Sequence, residues 1–108
     1  MQNGGNRSNP GKAAGPREAA KESAEALAIE VLGYIAADPA ALEGFMSLSG
    51  LEIGNLRAAA AEPGFFVGVL DFLASNEALL LAFAANAGRD PAAILRARHV
   101  LAPPEEMI

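Results

Sequence analysis

From position 24 onward apolar residues recur at spacings of three and four: Ala24, Leu27, Ala28, Val31, Tyr34 and Ile35, with Glu18, Lys21, Glu22 and Glu25 on the preceding turns. That period is helical and predicts a first helix after Pro16 with one apolar stripe to bury. Asp38 then supplies a capping acceptor and Pro39 a first-turn residue with no amide hydrogen to lose, so a second helix is predicted from Pro39 to about Ser49. Gly50 stops it, because glycine enters the left-handed conformation other residues resist. A third helix over 52–61 ends before Pro63-Gly64, and a fourth spans 65–74. A fifth, 77–87 after a Ser75-Asn76 cap, carries Leu79, Leu80, Leu81 and Phe83 in several directions, which predicts the central, most enclosed element. Gly88 ends it, and Asp90-Pro91 starts a sixth helix that runs to about Leu101.

The chain also matches itself. Laid over its own sequence with Leu27 on Phe65, it places Val31-Leu32 on Val69-Leu70, Tyr34-Ile35 on Phe72-Leu73, Asp38 on Asn76, Phe45 on Phe83 and Gly50 on Gly88. Cap, aromatic and stop signals coincide, which suggests two pseudo-repeated three-helix units facing each other across a two-fold axis. Neither unit alone buries enough area to be stable.

Composition agrees with that pattern. Alanine is the commonest residue, while valine and isoleucine are few and threonine is absent, so strand-favouring side chains are scarce. The expectation is an all-α domain, a compact bundle of five or six short helices over residues 17–102. Residues 1–16, rich in Asn, Gly, Ser and Pro, read as a disordered tail, and 103–108 as a C-terminal tail. The N-terminal tail has no apolar core of a secretory signal, and the most apolar stretch, 65–87, carries Asp71, Asn76 and Glu77 near its middle. Two helices in water are expected there, with no membrane span. Zero cysteines remove disulfides and fit a reducing, cytoplasmic location.

Charge is divided unevenly. Positions 1–16 hold Arg7 and Lys12 and no acid, so every Asp and Glu of the chain lies in the body, where acids outnumber bases about two to one. A body this acidic repels phosphate backbones. Arg89, Arg96, Arg98 and His99 form its one basic cluster, placed where cations favour a helix C-terminus.

Catalytic chemistry finds few candidates. The serines lie in the tail, on the polar turns of the first helix or near helix ends, and His99 is the single histidine. The acids are dispersed among caps and termini, and the glycines fall singly at helix ends, so neither a metal cluster nor a phosphate-binding loop is formed. No catalytic residue, cofactor or metal ligand is predicted. One spacing suits a helix-turn-helix, Ala84, Gly88 and Ile94 and equally Met46, Gly50 and Leu56. The second helices, however, open on Asp90, Pro91, Ala92 and on Glu52, Ile53, which offer little to base edges.

Ala36-Ala37-Asp38-Pro39, Ser49-Gly50-Leu51, Glu62-Pro63-Gly64-Phe65, Leu70-Asp71-Phe72-Leu73, Asn76 to Leu80 and Ala87-Gly88-Arg89-Asp90-Pro91 give the chain a resemblance to a known family. From about Ala26 to Leu101 it resembles short, all-helical bacterial proteins, mostly alphaproteobacterial, of unknown function. The resemblance implies an all-helical fold and brings no site residues.

A binding role is therefore expected: a small non-catalytic interaction or adaptor module, with a helix-turn-helix nucleic-acid binder as the alternative. Phe45, Phe72 and Phe83 are assigned to the core. Phe65 and Phe66 lie about 100 degrees apart on a helix start, so one of them is expected at the surface. Phe65 or Phe66, with Arg89 on the rim, forms the candidate surface for self-association or a protein partner.

Overall fold

The computed structural model describes residues 15–62 and 64–102. In chain order they form α1 (Pro16–Ala36), α2 (Pro39–Ser49), a 3₁₀ turn (Ile53–Asn55), α3 (Leu56–Ala60), α4 (Phe65–Ala74), α5 (Glu77–Ala87) and α6 (Ala92–Leu101), with no strand among the described residues. The expected tails fall mostly outside this range. Of the N-terminal one only Gly15 and Pro16 are described, and Pro16 opens α1, where a missing amide hydrogen costs nothing. Residues 103–108 lie wholly outside it.

The caps explain the boundaries. Asp38 Oδ1 accepts from the amides of Ala40 and Ala41 at 3.1 and 3.4 Å, and Asn76 Oδ1 accepts from that of Leu79 at 3.1 Å. Gly50 and Gly88 close α2 and α5 at φ 74° and 66°, the left-handed region in which a Cβ is strained. Ser75 closes α4 instead of capping α5, its Oγ donating to the Phe72 carbonyl at 2.9 Å. The expected third helix is shorter than its pattern. Gly54 is a poor helix former, and the Asn55 side chain accepts from the Glu52 amide at 2.9 Å, which holds the first turn in 3₁₀ form.

α4, not α5, is the central element. Phe65, Val67, Val69, Leu70 and Leu73 are buried on it, and it packs against α1, α2, α3, α5 and α6. On α5 only Phe83 and Ala84 are buried, and Leu81 is exposed. The leucine run made α5 apolar in several directions, but burial follows the number of neighbouring elements, and its principal contact is with α4. The largest fully buried side chains are Val31, Ile35, Val69, Leu70, Leu73 and Ile94, from α1, α4 and α6. No single described helix is long and apolar enough to cross a membrane, and α4 and α5 meet at a bend of 103°.

The halves correspond helix for helix in the register of the internal match: Pro39–Ser49 maps onto Glu77–Ala87 without a shift, and the two left-handed glycines coincide. Aromatic contacts follow the same rule. Tyr34 meets Phe83 edge-on, with centroids 5.4 Å apart, and the equivalent residues Phe72 and Phe45 meet edge-on at 5.6 Å. Each ring from the first helix of one half thus packs on the second helix of the other, the exchange a two-fold relation produces. The correspondence fails at the last helix of each half: α6 is twice the length of α3 and packs on both α1 and α4.

Candidate functional site

That asymmetry leaves a groove. Between the C-terminal half of α2, the α2–α3 turn, α3 and the length of α4 lies an open cavity of about 560 Å³, walled chiefly by apolar atoms. Phe45, Phe65 and Phe72 form its aromatic wall, Phe45 standing edge-on to both others. Leu48 and Leu51 line it beside them, and Leu48 is 73% exposed. On α4 the groove reaches the helix backbone at Gly68, where an added Cβ would meet nothing within 4 Å. The polar groups in the wall are quiet. Ser49 Oγ donates to the Phe45 carbonyl at 2.7 Å and Ser75 Oγ to that of Phe72, while Glu62 and Asp71 bring carboxylates to the lining.

The equivalent positions of the other half are filled differently. Leu51 and Gly68 are equivalent to Arg89 and Glu30, which close their side with a two-pronged ion pair, Nε to Oε1 at 3.0 Å and Nη2 to Oε2 at 2.9 Å. A clasp in one half is a leucine and a bare helix in the other. The Arg89 hydrogen bonds hold the Glu30 carboxyl below its ordinary value of 4.5. Because the folded value is the lowered one, the pair's stabilisation is present above about pH 4.5 and is lost as pH falls through the folded value. Both side chains are open to solvent and salt, so the contribution is below about 1 kcal/mol. Acid melts should show Arg89→Gln slightly less stable than the parent at neutral pH, with the difference vanishing once Glu30 is protonated. A difference that persists in acid would give Arg89 another role.

The candidate surface residues thus separate. Phe65 is buried at 8% exposure, packs on Phe45 and lines the groove; Phe66 is half-buried against the core beside it, ring centroids 5.7 Å apart. Neither ring stands free, and Phe65 instead helps to floor the groove. Arg89 is held at the C-terminal end of α5 by Glu30 and does not line the groove. Sequence reasoning missed Leu48, Leu51 and Gly68. The available signal was Gly68 itself, a mid-helix glycine that neither a positive φ nor close packing requires.

The basic cluster is divided as well. Arg89 pairs with Glu30, and Arg98 Nε donates to Asp71 Oδ1 at 2.8 Å, tying α6 to the α4 wall of the groove. Arg96 and His99 lie exposed on α6. The helix-turn-helix spacing around Gly88 shows Ala92 and Leu95 to solvent at the start of its second helix. Among the described residues no group of three or more His, Cys, Asp or Glu is placed to hold a metal ion.

Comparison with curated proteins and with solved structures returned no match. A family model does match, over residues 21–104, from within α1 to just beyond α6. That span takes in both halves and every groove-lining residue, and the chain therefore belongs to the family described as protein of unknown function (DUF3572).

Proposed function

We propose that the domain is a non-catalytic protein-interaction module of the cytoplasm and that the α2–α3–α4 groove is its binding surface. The observation that carries this reading is the open apolar cavity, in which a large aliphatic side chain, Leu48, stands in solvent beside three aromatic rings. An apolar groove with a polar margin is the form in which helical segments are received, their side chains at i, i+3, i+4 and i+7 acting as anchors. The serine hydroxyls in the wall are spent on backbone carbonyls, which suits a holding surface better than a reacting one. Absence of cysteine fits the reducing compartment.

Two substitutions separate binding from folding. Leu48→Glu should abolish association, whether of copies with each other or with a protein captured from cell extract, while leaving the melting midpoint nearly unchanged. Gly68→Ala should raise stability by about 0.5–1 kcal/mol, since the site is helical and roomy, yet weaken association by adding a methyl to the groove floor. Sedimentation, capture and thermal melts on the full chain test both, and association that survives Leu48→Glu overturns the reading.

A further inference from the structure

We infer that the groove receives α6 of a second copy of this chain. The inference rests on the interaction reading above and names the partner. On α6 the inward side carries Ile94 and Ala97, and the exposed residues are Ala92, Leu95, Arg96, His99 and Val100. Those five fall at i, i+3, i+4, i+7 and i+8, a single stripe along one side of the helix. The stripe is an unusual surface: Leu95 is 59% and Val100 40% exposed, with Arg96 and His99 between them. Bases flanked by apolar anchors are what an apolar groove with the Glu62 carboxylate in its wall accepts.

Charge and length both match. In the groove wall Asp71 is taken by Arg98 of the same copy, which leaves the exposed Glu62 as the carboxylate on offer, and the α6 stripe faces it with Arg96 and His99 and no acid. At the helical rise α6 spans about 15 Å, and the α4 wall from Gly64 to Ser75 about 18 Å. The chain's own ends suit the groove less well. Residues 1–14 carry Arg7 and Lys12 with no apolar run, and 103–108 bring Met107 and Ile108 together with Glu105 and Glu106. A second α6 supplies bases and apolar anchors on one rigid element, so little ordering entropy is lost on docking. Each copy carries both halves of the contact, and reciprocal docking would close a two-fold dimer.

The experiment is complementation between two disabled faces, read by analytical ultracentrifugation of the full chain. The parent should self-associate, and added salt should weaken it. Leu48→Glu, disabled in the groove, and Leu95→Glu, disabled on α6, should each sediment as monomers with helicity intact. Mixed in equal amounts they should form a one-to-one complex, because one intact groove then meets one intact α6. Arg96→Glu should weaken self-association about tenfold or more and be rescued by mixing with Glu62→Arg. A mixture that stays monomeric, or a Leu95→Glu protein that associates like the parent, overturns the inference. So does a parent that remains monomeric at its highest soluble concentration; if Leu48→Glu then still abolishes capture of a different protein, the groove reading stands and only the second copy is lost.

Discussion

Phe83→Ala is expected to lower the unfolding free energy by about 3–5 kcal/mol, a large share of what a domain of this size possesses. Phe83 is 3% exposed, and its ring is one of the few contacts tying α5 to α1, through Tyr34 at 5.4 Å. Removing it deletes apolar burial and an edge-on aromatic pair together, and α5 has little else to hold it. Circular dichroism melts should show the midpoint fall by many degrees or the folded baseline disappear. Phe83→Leu, which keeps most of the volume, should recover much of the loss. An alanine variant that melts with the parent would mean the ring is not a core group.

Ile94→Ala and Leu95→Ala form the second test, two neighbours on α6 with opposite expectations. Ile94 is fully enclosed between α1 and α4, and its truncation should cost about 2–5 kcal/mol. Leu95 points to solvent, and its truncation should change stability by no more than about 0.5 kcal/mol. Chemical denaturation of both settles the orientation of the helix. Equal losses would rotate α6 and remove its exposed stripe, and the proposed contact between copies with it.

Much of the fold was legible in the sequence because helix ends are written locally. Asp38-Pro39, Gly50, Asn76 and Gly88 act on backbone groups close by in the chain, and α2, α4 and α5 lie where those signals place them. The centre of the fold was not legible, since the Leu79-Leu80-Leu81 run records how apolar α5 is and nothing about how many helices surround it. The groove was still less so. It lies beside the short α3, where Leu51 and Gly68 stand in place of the other half's clasp and Leu48 is exposed. Each is a relation between residues distant in sequence. Phe65 and Phe66 stood out in the sequence, but a sequence shows two adjacent rings and not that Phe65 lines the groove while Phe66 packs beside it.

The exchanged rings bear on how the chain reaches this state. Tyr34 finds Phe83 only after α2, α3 and α4 have been laid down, and Phe45 finds Phe72 only after α4 exists. A first half emerging alone from the ribosome has α1 and α2 but neither of the rings that complete its aromatic contacts. It gains little by ordering early, so structure should arrive in both halves within one cooperative transition, without a populated half-folded intermediate. A nascent chain stopped near position 62 would still display its apolar stripe, and the interval before α4 follows is when this protein is most exposed to aggregation and to chaperones.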